Sequence, residues 1–526
     1  MKTQDLIGGA WLVAQYGIDL VMPLAVQSRM GGRRKTERLD GTTTEIYAEG
    51  MRPGANLRGH LTFHLKHEVP HLEMLSRLFD RVDTAELVAW IEGESSGQYA
   101  RKAGFWYEWL TGRALEVQVP MAGAFVDLLD EHKLVAASAN QAVPNRRWRV
   151  RDNLPGSPAF CPVVRKTAEV HQALSVDLQR LLNELVLEFG GDVLMRSAVW
   201  MTLRESKSSF AIEGEANQAD RVQRFADVLA RRTGVGALPI DHESLAQLQT
   251  EILGRRTSLQ QLGIRQSPVF VGEVVRYQEV VHYVAPPAQD LQAMLDGMAV
   301  FWERTQGQSA LMRSAVMAFG FIYIHPLADG NGRVHRFLVN DVLRRDGVVQ
   351  EPMILPVSSL ITRDSAERRA YDGVLDVISR PLMYALSGAY GFAPTQTAYP
   401  DGIESNFNFE GDHTARPVWR YLDLTRHVVY LADVLAQTIR DDMREESRYL
   451  QQHAQARAAI KDIVEMPDMQ IDRIIRSVQA NQGHLTKVLA QELPLLAEPE
   501  IWGAIVEATT LAFKGQQSKS GYGVQH

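Results

Sequence analysis

Met312-Arg313-Ser314-Ala315-Val316-Met317-Ala318-Phe319-Gly320-Phe321-Ile322-Tyr323-Ile324 runs directly into His325-Pro326-Leu327-Ala328-Asp329-Gly330-Asn331-Gly332-Arg333-Val334-His335-Arg336. The first part is apolar enough for a buried helix and too short to span a membrane. Pro326 biases His325 out of helical geometry and so predicts the stop. A second helix is expected to open at Arg333 and to run through Phe337, Leu338 and Val342. Between them, Gly330 and Gly332 let backbone amides approach an anion closely, and the next helix adds unpaired N–H groups and a positive dipole end. Arg333 and Arg336 are three apart and can project to one side, where guanidinium pairs with phosphate oxygens. Asp329 would repel that phosphate unless a cation lies between them, and Mg²⁺ favours one or two carboxylates plus substrate phosphates. His325 beside them is a general base for near-neutral pH. Together these groups describe nucleotidyl transfer.

The string His325–Arg336 closely resembles the signature loop of the Fic family. Leu327 stands where that family usually has phenylalanine, a residue that packs the loop onto the core. Gly332 and Arg336 place the chain with the members that transfer AMP; those that transfer phosphate carry lysine at the first position and lack the second arginine. The resemblance implies a helical core in which His325 deprotonates a Ser, Thr or Tyr hydroxyl of a target protein, which attacks the α-phosphate of ATP. Gly330, Asn331, Gly332, Arg333 and Arg336 would bind the nucleotide, and Asp329 would bind Mg²⁺.

Upstream, Ser209-Phe210-Ala211-Ile212-Glu213-Gly214 matches the family's inhibitory helix, of the class in which that helix precedes the core. Ser209, Glu213 and Gly214 are its motif residues. Glu213 pairing with Arg336 would take the guanidinium meant for the γ-phosphate and misalign ATP for attack. Val269–Val284, rich in Val, Phe and Tyr and bounded by prolines, reads as a hairpin. In the family this hairpin is a flap that docks the target protein as an added strand. Tyr371 matches a family position that stacks on adenine. The motifs cover about 165–390 of the chain.

Working outward, the 526 residues carry a net charge of −7, 45% hydrophobic and 23% charged side chains, and one cysteine, Cys161. This excludes a disordered chain, an internal disulfide framework and a thiolate zinc site. The mild acidity argues against coating nucleic acid by bulk charge. No membrane segment is expected: Gln15, Asp19 and Pro23 interrupt the apolar stretch 6–26, and the cytoplasm is the expected location, with a leader over Lys2–Ala14 as the alternative.

Pro144, Pro155, Pro158 and Pro162 mark one boundary, and the Gly-, Asn- and Ser-rich Pro394–Pro417 reads as a linker or long loop. The expected architecture is mainly α. An N-terminal α+β module (1–150) has a hairpin turning at Asp40-Gly41 and helices over 61–112. A Fic-type helical core with its short flap (151–395) includes the inhibitory helix around 205–216. A C-terminal helical module (396–513) follows, with helical patterning over 419–465, and a disordered tail (514–526) ends the chain. Ile471–Leu493 is compatible with a helix-turn-helix, which makes DNA a candidate partner, weaker than ATP and a target protein because Arg473, Arg476 and Lys487 supply little charge. Arg146–Arg151 reads as a solvated linker. A homo-oligomer is a further candidate. Two other functions fit: removal of AMP with Glu213 positioning the water, and a DNA-binding or toxin–antitoxin regulator whose core only senses nucleotide.

Overall fold

The computed structural model describes residues 5–39, 42–215, 217–254, 257–276 and 278–514. The expected turn at Asp40-Gly41 and residues 515–526 of the expected tail lie outside them. The chain opens with β1 (Leu6–Ile7), α1 (Gly8–Gln15), β2 (Val26–Met30), β3 (Lys35–Leu39) and β4 (Thr42–Tyr47). β3 and β4 pair antiparallel as the expected hairpin, but the sheet is larger, in the order β1-β2-β4-β3, and β2 runs parallel to β4. Parallel pairing joins distant segments and leaves no turn signature to read. Four helices follow: α2 (Leu57–His67), α3 (Leu72–Phe79), α4 (Thr84–Gly93) and α5 (Gln98–Thr111).

These helices bury Leu61, Leu75, Ile91 and Trp106 in a core of their own, closed by β5 (Val126–Asp127), β6 (Val143–Asn145) and β7 (Val150–Asp152). The Arg146–Arg151 stretch is therefore not a solvated linker. Trp148 is buried with Nε1 donating to Glu108 (2.7 Å), and Arg149 and Arg151 bond the Gly123 carbonyl and Asp127. Phe160 enters the central core while the next residue, Cys161, enters the N-terminal one, so the proline-rich segment is a seam between two packed bodies. Burial pushes the Cys161 thiol up to about 12, which makes it unreactive.

The central body contains α6 (Ala168–Leu174), α7 (Leu178–Phe189), α8 (Gly191–Ile212), α9 (Ala219–Arg232) and α10 (His242–Leu253). The hairpin of β8 (Phe270–Val275) and β9 (Gln278–Val284) comes next, then α11 (Ala288–Arg304), α12 (Ala310–Ile324), α13 (Asn331–Arg345), α14 (Val357–Ile361) and α15 (Ser365–Ala385). α12 is buried almost all round, as its unbroken apolar sequence requires, and packs along α13.

The linker expected over Pro394–Pro417 is not a linker. β10 (Tyr390–Ala398) pairs antiparallel with β11 (Glu404–Phe409), and Pro417 lies inside α16 (Asp412–Arg420). Pro394 is tolerated because it falls where the register shifts, between Phe392 and Thr397, and needs to donate no ladder hydrogen bond. Phe392 and Phe407 pack on Phe270, 5.4 and 4.8 Å between ring centres, so the second hairpin braces the first. The expected boundary at 395/396 thus cuts a strand. The helical stretch expected after Trp419 is α17 (Thr425–Gln437), a π-helical turn (Thr438–Met443) and α18 (Arg444–Ile463) end to end; α17 and the π turn are packed into the central core. α19 (Asp468–Ala480), α20 (Lys487–Glu492) and α21 (Pro499–Phe513) form a third core with the end of α18. Arg473, counted as a basic residue of the helix-turn-helix, pairs with Glu492. Among the described residues no helix is long and apolar enough to cross a membrane.

Candidate active site

α12 ends at His325 in the left-handed region (φ 52°), a conformation that costs a non-glycine residue about 1–2 kcal/mol and is held here by tertiary bonds. Its Nδ1 lies 3.1 Å from the Ile322 carbonyl, which can only accept. The ring proton therefore sits on Nδ1, leaving the Nε2 lone pair to accept a proton. Burial, and secondly the charge of Arg265, lower its pKa to about 4, so the imidazole is neutral at pH 7. Leu327, where the signature has phenylalanine, is fully buried and keeps the packing role of that residue.

The loop then turns through Gly330 (φ 96°) into α13. The Asn331 side chain is turned inward: Nδ2 donates to the Leu327 carbonyl (2.7 Å) and Oδ1 accepts from the Leu327 amide (2.9 Å). The side chain thus staples the loop, while its backbone amide stays in the first turn of α13, without an intrahelical acceptor. Asp329 is a single carboxylate, its side chain 53% exposed and 2.8 Å from Arg333 Nη2. No group of three ligand-type side chains surrounds it among the described residues. That donor set fits Mg²⁺ carried in on phosphates and does not fit a protein-only cage.

α8 delivers Ser209 and Glu213 to the far side of α13. Arg336, 2% exposed, donates from Nε to Ser209 Oγ (2.6 Å) and from Nη2 to the Ser209 carbonyl (3.2 Å) and to Glu213 Oε1 (2.5 Å). Glu213 Oε2 lies 3.3 Å from Arg333 Nε, without hydrogen-bond alignment, and Arg333 Nη1 is buried with no partner among the described residues. A Cβ on Gly332 would collide with Glu213 Oε1 and stand 3.0 Å from Arg336 Nη2, so glycine is required for this close approach. Gly214 follows Glu213 with φ 77° as the chain leaves the helix, and Arg368 Nη1 donates to the last helical carbonyl, Ile212 (3.0 Å).

Tyr371 does not present a free face. It is 5% exposed, with its ring 6.3 Å from those of both His335 and Tyr430. Three polar residues of the site escaped sequence reading: Arg265, Gln249 and Asp401. Arg265 donates to the His325 carbonyl (2.8 Å), Gln249 to the Asp329 carbonyl (2.8 Å), and Asp401 accepts from the Ser267 amide (2.9 Å). None belongs to a motif; only their burial singles them out.

The Fic/DOC family pattern matches residues 239–343. Three relatives are similar over parts of the chain. Protein adenylyltransferase fic-1 of Caenorhabditis elegans is 28% identical over 198 residues, 36% of this chain and 37% of that protein. Its Caenorhabditis briggsae counterpart of the same name is 28% identical over 120 residues, 23% of this chain and 22% of that protein. Protein adenylyltransferase Fic of Drosophila virilis is 29% identical over 125 residues, 23% of each chain. The chain thus matches well under half the length of these curated relatives. A crystal structure of a Fic family protein from Desulfovibrio desulfuricans G20 aligns over 60% of this chain and 87% of its own, at 16% identity and a TM-score of 0.37. The loop that ends α12, the glycine cradle and the two arginines all fall inside the matched segment: this chain carries a Fic/DOC family domain.

Proposed function

We propose that the protein is an adenylyltransferase that moves AMP from ATP to a Ser, Thr or Tyr hydroxyl of a target protein, and that Glu213 holds it in check. The observation that carries this reading is an anion already lying in the cradle: the Glu213 carboxylate touches Arg336 and rests against Gly332. A cluster of glycine, helix N-terminus and two buried arginines that accepts a carboxylate has the charge and donors for phosphate oxygens. Once Glu213 withdraws, Arg336 and the unpartnered Nη1 of Arg333 are available to the triphosphate. Nε2 of His325 takes the target hydroxyl proton, the oxygen bonds to the α-phosphorus, and the bond to the β-phosphate oxygen breaks, so that pyrophosphate leaves with the electron pair. Asp329 would hold Mg²⁺, which when bound neutralises developing phosphate charge. The flap exposes Val271, Val274 and Val280 and, as a two-stranded sheet, has free edges for an extended target segment. The names of the relatives support the same reaction.

The test is intact-mass measurement of wild type and Glu213→Gly after incubation with ATP and Mg²⁺. Gain of an AMP mass in the variant, lost again with Arg336→Ala, is the expected result; a variant as silent as wild type on itself and on lysate proteins would sink the inhibitory role. A second reading, AMP removal, is favoured by the unaligned Glu213 Oε2, which keeps a lone pair for a water. It requires that Glu213→Gly fail to release AMP from a modified target.

A further inference from the structure

The base proposed above sits on a residue in an unfavourable backbone conformation, and one side chain bears directly on it. Arg265 is 2% exposed, and no carboxylate lies within ion-pair distance among the described residues; its guanidinium bonds only backbone carbonyls. Nε donates to His325 (2.8 Å), Nη1 to Ser267 (2.7 Å) and Nη2 to Pro286 (2.6 Å), while the Arg265 amide donates to Pro326 (2.8 Å). Those carbonyls come from the end of α12 and from both feet of the flap. A planar fork with donors on several sides is the only side chain that can reach all three segments at once.

We propose that Arg265 is a positioning residue for His325: it ties the base's own backbone to the flap that docks the target, so imidazole and target hydroxyl share one frame.

Burying an uncompensated cation is costly, and a simple structural tie could have used a neutral amide. Burial lowers the Arg265 pKa only to about 10, so it stays charged and adds to the suppression of the His325 pKa. The strap carrying it is fixed from behind. Asp401 Oδ2, in the turn of the second hairpin, accepts from the Gln266 and Ser267 amides (2.9 Å each) and from Ser267 Oγ (2.8 Å). Gln249 ties the strap's Gly263 amide (2.7 Å) to the Asp329 carbonyl (2.8 Å). The second hairpin thus reaches the base through one chain of bonds.

This inference rests on the AMP-transfer reading for its meaning, and the test separates the two. In full-length Glu213→Gly protein, Arg265→Lys keeps the charge and loses the fork; kcat should fall about 10²-fold with KM for ATP unchanged, as misplacement of a reacting group does. Asp401→Ala, which releases the strap without touching His325, should give a smaller fall of the same kind. Arg265→Met should also move the His325 ring titration, followed by NMR of labelled histidine, upward from about 4 toward the ordinary value. If Arg265→Met does not fold, as judged by its melting curve, the other two variants carry the test. Parental kcat in Arg265→Lys, or a loss carried by KM for ATP, would overturn the proposal. If the Glu213→Gly parent transfers nothing, the AMP reading fails, and the His325 titration decides the coupling: no movement in Arg265→Met overturns it.

Discussion

The two ends of the buried face of α8 carry the same residue type in opposite circumstances. Glu205, Ser209 and Glu213 recur every fourth position and share that face. Glu213 ends the helix with its side chain 25% exposed and two arginines against it. Glu205, two turns earlier, is wholly buried and makes no ion pair among the described residues; Oε2 accepts from the Ser358 amide (2.7 Å) and Oε1 from Ser358 Oγ (2.6 Å), which ties α8 to the first turn of α14. Burial, only partly offset by those bonds, raises its pKa to about 7. The difference fits the proposed switch: the inner glutamate anchors the helix, while the outer one is reachable by solvent, as its displacement by a stronger anion would require.

The largest effect expected is on the chemistry that Glu213 is proposed to guard. In Glu213→Gly protein, His325→Ala should lower transfer about 10²–10⁴-fold with ATP affinity nearly unchanged, measured by labelled-ATP transfer and by titration. An equal loss of ATP binding would remove the contrast between a guarded base and its guard. Next, Glu205→Ala should cost about 3 kcal/mol of stability by leaving the buried Ser358 amide and hydroxyl unpaired, read from a denaturant midpoint. Glu213→Gly should leave that midpoint almost unmoved, because Arg336 keeps both bonds to Ser209. If both variants destabilise alike, the division into anchor and switch is wrong.

Glu213→Gly should raise transfer about 10–10²-fold, the worth of a charge-assisted hydrogen bond withdrawn from Arg336. The smallest effect is on pH. Glu205 binds its proton more tightly folded than unfolded, so between about pH 4.5 and 7 the folded state holds more protons and stability declines as pH rises. Melting temperatures of wild type should fall across that window relative to Glu205→Gln, which cannot titrate. His325 stays neutral down to about pH 4, so it contributes no acid limb to transfer above pH 5. A limb near the ordinary histidine value of about 6.5 would refute its neutral state.

What could be read from the sequence lies where cause and effect are close along the chain. Pro326 stops α12, glycine turns the loop, and Arg333 and Arg336 share a helix side; those relations span a dozen residues and follow from backbone sterics and helical spacing. The mainly α fold and the flap hairpin were legible for the same reason. The Glu213–Arg336 pair, 123 residues apart, was expected through resemblance alone.

Only the tertiary structure could decide which of many similar polar residues ends up buried opposite another. Arg265 to His325 spans 60 residues, Ser267 to Asp401 134 and Ser358 to Glu205 153, and no local pattern marks any of them. The second hairpin was hidden because Pro394 and its Gly- and Asn-rich neighbours read as a linker, and only the aromatic packing of Phe392 and Phe407 on Phe270 makes strands of them. Tyr371 shows the same divide: spacing marks its position, but its burial is a property of everything packed around it, the rings of His335 and Tyr430 among them.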